Sequence, residues 1–176
     1  MFHKLNRTFK EPLYVVTDSL KDFKCDDKKG IDYKMIWSPE AKELYSVLPK
    51  RYWNDFHLTL MSINRDIPPH TDTEIITSIN FYIESGGSPR TVFYEPAVDN
   101  PRTTQVNNQT DGYIFFQEDL KEVGSFVAKD FDIWILDVKK IHSVEGDVSL
   151  RKAVTLGTFC HKYDDVIQML KETGSL

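Results

Sequence analysis

From residue 55 to residue 159 the sequence is a succession of short alternating or β-branched runs, with almost no helical period between them. That constrains the fold more than any other feature. Parallel strands need a crossover of a dozen or more residues, usually a helix. A chain without such crossovers is restricted to antiparallel sheets. Phe56–Ile63, Ile75–Ile83, Thr91–Tyr94, Tyr113–Phe116, Asp132–Val138 and Lys152–Phe159 are the expected strands. Gly86-Gly87-Ser88-Pro89 turns the chain between two of them, and 97–111 is polar and turn-rich, an expected exposed loop. A short helix is expected over 118–124. The pattern suits an antiparallel sandwich or barrel, above all a jelly roll.

Helices are otherwise expected only outside this block. Residues 1–37 are mixed, with a strand-like Leu13-Tyr14-Val15-Val16 and a polar turn at Asp26-Asp27-Lys28-Lys29-Gly30. Ser38-Pro39-Glu40 has the cap, first-turn proline and acidic residue that start a helix. Leu44, Val47 and Leu48 give it an apolar stripe, and it should stop near Pro49. Asp164–Thr173 is a closing helix with Gly174 just past its end. The 176 residues fit one domain. It is expected to comprise an N-terminal extension over 1–54, a strand core over 55–160 and a C-terminal helix over 161–176.

Charge excludes some function classes. Lys and Arg number 22 against 27 Asp and Glu, giving −5 without long runs of like charge. Such a chain is a poor candidate for gripping nucleic-acid phosphates. No apolar stretch approaches the ~20 residues of a membrane span. Met1–Arg7 lacks the apolar region of a signal peptide, so a soluble, cytoplasmic protein is expected. Cys25 and Cys160 share no metal-like spacing and read as reduced, packed thiols.

One set of residues carries chemistry. His70-Thr71-Asp72 follows the stiff pair Pro68-Pro69 at an expected strand end. Alternate residues of an extended segment share a face, so His70 and Asp72 can present two ligands to one point. His142 follows the strand 132–138, with Lys139-Lys140-Ile141 expected to continue it. Two imidazoles and a carboxylate on one face of a metal, with other positions open, are the ligand set of non-haem Fe(II) oxygenases. Further on stands Arg151, a fixed cation suited to bidentate binding of a carboxylate. On its strand it shares a face with Ala153, Thr155, Gly157 and Phe159, where small residues leave room and Thr155 adds a hydroxyl. Lys152, on the alternate face, is the rival cation. His3, in an expected mobile terminus, His57 and His161 receive no role, and Tyr94 and Trp134 are core residues or aromatic walls.

Pro69-His70-Thr71-Asp72, Ser85-Gly86-Gly87, His142-Ser143-Val144-Glu145 and Arg151-Lys152-Ala153-Val154-Thr155-Leu156 resemble stretches of the Fe(II)/2-oxoglutarate-dependent dioxygenases, in the prolyl-hydroxylase-like and aspartyl/asparaginyl-hydroxylase-like branches. The similarity covers roughly 58–160. It implies a double-stranded β-helix, a distorted jelly roll. It also implies His70, Asp72 and His142 as iron ligands and Arg151 as partner of the distal carboxylate of 2-oxoglutarate. Many relatives place a tyrosine on the strand after the His-x-Asp to touch the co-substrate; Phe81 aligns there, with Tyr82 one step off.

The implied activity is hydroxylation of a protein residue, amino acid or small metabolite by O2, with release of succinate and CO2. Protein groups then supply ligation and orientation rather than acid–base catalysis. Substrate contacts are expected from 64–69, 97–111 and the N-terminal segment. The alternatives are a jelly-roll binding domain without catalysis and a cupin-like metalloenzyme that does not use 2-oxoglutarate. Arg151 weighs against the first, since a structural metal needs no distant cation. The small number of histidines weighs against the second.

Overall fold

A computed structural model describes residues 1–7, 9, 23, 30–36, 40–105 and 112–176. Twelve strands among these residues form two six-stranded antiparallel sheets. The first sheet runs in the order β1 (Phe2–Lys4), β10 (Ile133–Asp137), β5 (Thr77–Glu84), β12 (Arg151–Thr158), β3 (Phe56–Ile63), β2 (Ile31–Met35). The second runs β7 (Thr103–Gln105), β8 (Tyr113–Phe115), β4 (Ile67–His70), β11 (Ile141–Glu145), β6 (Arg90–Pro96), β9 (Leu120–Val127). Strands remote in sequence pair within each sheet, and the two sheets face each other as a double-stranded β-helix. No helix among the described residues is long and apolar enough to cross a membrane.

Alternation along the first sheet divides the interior in two. Leu58 and Leu60 on β3, Ile79 and Phe81 on β5, Ile133 and Ile135 on β10, and Val154 and Leu156 on β12 all point away from the second sheet. They pack under α1 (Tyr163–Glu172) through Val166 and Leu170, and under a 3-10 segment, Glu40–Val47, through Ala41, Leu44 and Val47. The opposite parity, Met61, Ile63, Tyr82, Leu136 and Ala153, faces Ile67, Phe93, Phe126 and Val144 of the second sheet. Each fully buried Leu, Ile or Phe contributes about 1.5–3 kcal/mol.

The closing helix forms as expected. Asp164 and Asp165 occupy its first turn, Lys171 its last, and the Lys162 amide donates to the Asp165 carboxylate at 3.3 Å. Gly174 takes φ 68°, the left-handed conformation that ends the helix. Thr173 donates its hydroxyl to the Val47 carbonyl at 2.6 Å and ties the helix end to the 3-10 segment.

Other expectations change. The helix expected over 118–124 is a single 3-10 turn, Gln117–Asp119, followed by β9. Long-range pairing of β9 with β6 across Arg90–Pro96, reinforced by the Arg90–Glu122 ion pair, outweighs local preference there. Lys139 and Lys140 do not continue β10. The chain turns at 138–140, and β11 begins in the other sheet. The region after Pro49 holds a second 3-10 segment, Lys50–Asp55. His3 is not in a loose terminus: it lies on β1, and its Nδ1 is 2.5 Å from the Tyr163 hydroxyl. The strand expected at Leu13–Val16, the turn at 26–29 and the cap at Ser38-Pro39 lie outside the described residues.

Phe81 is fully buried beneath the helices and faces away from the second sheet. Phe81→Ala is expected to lower the free energy of unfolding by about 3–5 kcal/mol, read from urea denaturation followed by circular dichroism.

Candidate metal centre

β4 and β11 pair so that His70 lies directly opposite His142, with ring centroids 4.3 Å apart. A register irregularity between His142 and Val144 separates this pair from the Val144–Ile67 pair. Each ring is held the same way. His70 Nδ1 lies 2.8 Å from the Pro68 carbonyl, and His142 Nδ1 lies 2.9 Å from the Lys140 carbonyl. A carbonyl only accepts, so each Nδ1 carries the proton and each Nε2 keeps its lone pair. A backbone carbonyl holding the second nitrogen is the usual support of a metal-bound histidine.

Asp72 lies just beyond β4. Its amide donates to the Val138 carbonyl at 3.0 Å, and the Lys139 ammonium donates to its carbonyl at 3.0 Å and to the Thr73 carbonyl. Its Oδ1 sits 3.6 Å from His70 Nε2. One donor atom each from His70, Asp72 and His142 lie within 4.8 Å of one another.

Burial dominates the electrostatics of the site. Burial, and then the neighbouring His70, push the His142 imidazole down to about 3. Burial raises the Asp72 carboxyl against the opposing pull of His70 and Lys139. The Nε2 lone pairs of His70 and His142 and the largely desolvated Asp72 carboxyl converge on one point, with the Lys139 ammonium beside it. A divalent ion fits this donor set: two nitrogens, one oxygen, and room for further ligands.

The three residues line a cavity between the sheets. Arg151 and Thr155 of β12 line the same cavity, as do Tyr82 and Asn80 of β5. Arg151 is 1% exposed, yet among the described residues it donates only to neutral oxygens: Thr91 Oγ1 at 2.9 Å, the Pro89 carbonyl at 2.9 Å and the Ser85 carbonyl at 3.3 Å. Its guanidinium carbon lies over the Tyr82 ring, 5.1 Å from the centroid. Among the described residues no carboxylate pairs with it. A buried cation without a counter-ion is costly, and a carboxylate arriving in the cavity relieves that cost.

The Ser85-Gly86-Gly87 turn provides this cradle. Gly86 has φ 73°, and a Cβ there would lie 2.7–2.8 Å from the Leu150 and Arg151 backbone. Only glycine lets the turn lie this close to the start of β12, where the Ser85 and Pro89 carbonyls reach the guanidinium.

Strand parity separates the rival residues. Lys152 faces the helix side and pairs with Glu84 at 3.4 Å, outside the cavity. Phe81 is in the helix-side core, so the aromatic residue on β5 that lines the cavity is Tyr82. Thr155 lines the cavity with its hydroxyl 2.6 Å from that of Thr59. Tyr94 and Trp134 are not cavity walls. Tyr94 bonds Ser143 at 3.0 Å, and Trp134 stacks on Phe126 with centroids 3.9 Å apart.

Sequence reasoning missed Tyr33, Asn80 and Thr91. Tyr33 stands on β2 at the cavity mouth, with Ile31 beside it on the same face. The alternation in Ile31-Asp32-Tyr33-Lys34-Met35 is the signal that could have found that strand. Nothing local marks Thr91, which is identified by its contact with Arg151.

No family model matches the sequence, and no curated protein matches it. Solved structures do. HygX from Streptomyces hygroscopicus, with nickel, 2-oxoglutarate and hygromycin B bound, aligns with a TM-score of 0.52 at 11% identity, over 92% of this chain and 84% of that one. A cupin superfamily protein from Desulfitobacterium hafniense aligns at 0.42 and 7% identity over 90% and 98%. An oxalate oxidase in complex with the substrate analogue glycolate aligns at 0.44 and 12% identity over 79% of this chain; the chain spans 57% of that protein's length. At 11% identity the likeness to HygX establishes the fold alone, a double-stranded β-helix.

The buried His142 makes a pH signature. Its ring ordinarily titrates near 6.5, and here near 3. Between those values the unfolded chain takes up a proton that the folded chain refuses. The metal-free protein is therefore expected to lose stability as pH falls from 6.5 towards 3, by up to about 1.4 kcal/mol per pH unit from this group. Urea midpoints measured across that range should fall less steeply for His142→Gln.

Proposed function

We propose that the chain is an Fe(II)/2-oxoglutarate-dependent oxygenase that hydroxylates a small molecule or a peptide residue. The observation that carries this reading is the pairing, in one cavity, of three converging metal-ligand side chains with a buried Arg151 that meets no carboxylate among the described residues. A metal alone answers only the first. A metal with a chelating oxo diacid answers both.

In this reading His70 and His142 bind iron through Nε2, and Asp72 through its carboxylate. Arg151 holds the distal carboxylate of 2-oxoglutarate by charge-assisted hydrogen bonds, with Thr155 adding a hydroxyl and the Tyr82 ring fixing the guanidinium plane. Bound Fe(II) supplies O2 activation coupled to oxidative decarboxylation of the oxo acid, which gives succinate, CO2 and a hydroxylated substrate. The protein binds, orients and limits water. His70 and His142 keep their protons on Nδ1, locked to backbone carbonyls, and need not exchange them. Met61, Ile63, Ile67 and Val144 line the cavity with apolar surface. Tyr33 at the mouth is where the organic substrate would first meet a polar group.

A structural metal gives no use to a buried guanidinium that meets no carboxylate among the described residues, and a cupin-like metalloenzyme working without an oxo diacid leaves it equally unexplained.

Anaerobic addition of Fe(II) and 2-oxoglutarate to the metal-free protein should give a visible metal-to-ligand charge-transfer absorption. Arg151→Met keeps an unbranched apolar side chain in the cavity. It should raise the Kd for 2-oxoglutarate roughly 30-fold or more, the loss of about 2 kcal/mol or more expected when one partner of a buried charge pair is truncated. Absent absorption in the wild type, or unchanged affinity in a folded Arg151→Met protein, contradicts the reading.

A further inference from the structure

A second group of metal-ligating side chains lies at the far corner of the first sheet and takes no part in the cavity. Asp55 closes the 3-10 segment Lys50–Asp55, immediately before β3. Cys160 and His161 follow the end of β12. β3 and β12 pair along their whole length, with Phe56 opposite Thr158, so the ladder brings the two chain segments together at this corner. One donor atom each from Asp55, Cys160 and His161 lie within 4.8 Å of one another.

We propose that Asp55, Cys160 and His161 form a second metal site, for a borderline-soft divalent ion of the Zn2+ class. The donor set is one sulfur, one nitrogen and one oxygen, which suits zinc rather than iron in an oxygenase. Zinc bonds of about 2.0–2.3 Å in tetrahedral geometry place donors roughly 3.3–3.8 Å apart, so the three need only small shifts to close on an ion. Solvent completes the coordination, since Cys160 is exposed and the Asp55 and His161 side chains are partly exposed.

The ligands are held in advance. His161 Nε2 donates to the Asp55 carboxylate at 2.9 Å through a proton that an ion bound between them would displace. The imidazole stacks on Phe56 with centroids 5.9 Å apart and meets Tyr52 edge-on at 5.4 Å. Thr158 Oγ1 accepts from the amides of both Cys160 and His161 at 3.4 Å and lies 3.5 Å from Cys160 Sγ, while Thr77 donates to the His161 carbonyl at 3.1 Å. Rotamers fixed by packing and surrounding hydrogen bonds are what a metal site requires of its scaffold. The two cysteines read as packed thiols in the sequence; Cys160 instead stands at the surface beside a histidine and a carboxylate. Binding there would fasten the second 3-10 segment to the approach to α1.

Cobalt(II) separates this site from the one in the cavity, because the ligand set His70, Asp72 and His142 contains no sulfur. Metal-free protein titrated with Co2+ should develop a near-ultraviolet sulfur-to-cobalt charge-transfer band. The band should vanish in Cys160→Ser, weaken at least tenfold in apparent affinity in Asp55→Ala, and persist in Cys25→Ser and in His142→Gln. A wild-type protein with no such band, or a band unaffected by Cys160→Ser or abolished by Cys25→Ser, overturns the proposal. A band lost in a folded His142→Gln protein overturns it as well. None of these outcomes depends on oxygenase activity, so this site and the cavity reading stand or fall separately.

Discussion

The alternation of side chains along β12 is the constraint on which the rest of the molecule depends. β12 lies between β5 and β3 and is paired to both along most of its length. Its even-numbered residues, Val154 and Leu156, support the helix-side core; its odd-numbered residues, Arg151 and Thr155, face the second sheet. A slip of one residue would put Val154 and Leu156 into the cavity and the guanidinium under the helices. The large helix-side core therefore fixes the register that holds a charged side chain in the interior. The same parity, transmitted through the ladder to β5, sends Phe81 into the core and Tyr82 into the cavity.

The second sheet supplies the other half of the site. β4 and β11 are neighbours there although far apart in sequence, and only that neighbourhood sets His70 opposite His142. The two Nδ1 contacts reach carbonyls two residues back, Pro68 and Lys140, so each imidazole is oriented by its own segment. Asp72 is fastened from β10's end, through Val138 and Lys139. The cavity thus brings together His70, Asp72 and His142 and a buried Arg151 that meets no carboxylate among the described residues. A fold under pressure only for stability would fill such a cavity with apolar side chains.

Much of this was legible in the sequence, for physical reasons that can be named. Strands such as Phe56–Ile63 advertise themselves through period and β-branching, and the lack of helical crossovers forces antiparallel pairing. His70 and Asp72 are visible because they lie two apart after a stiff Pro-Pro. What the sequence left open was parity and partnership. Arg151 and Lys152, like Phe81 and Tyr82, differ by one position, and only the packed cores decide which faces inward. The turn at 138–140 was hidden because Val138-Lys139-Lys140-Ile141 reads locally as continuing strand, while the change of sheet is a long-range event. β9 was hidden for the converse reason: Gln117-Glu118-Asp119 gives a helical start that strand pairing overrides. Cys160, His161 and Asp55 were never candidates together, because the ladder that unites them joins segments distant in sequence.

The proposed activity requires one cavity to hold a metal on His70, Asp72 and His142 and a dicarboxylic oxo acid anchored at Arg151. A crystal structure of the protein with Mn2+ and 2-oxoglutarate tests this most directly. The metal is expected on His70 Nε2, His142 Nε2 and the Asp72 carboxylate, with the distal carboxylate of 2-oxoglutarate hydrogen-bonded to Arg151. A metal bound away from these three residues, or an oxo acid whose distal carboxylate leaves Arg151 without an anion, would contradict it.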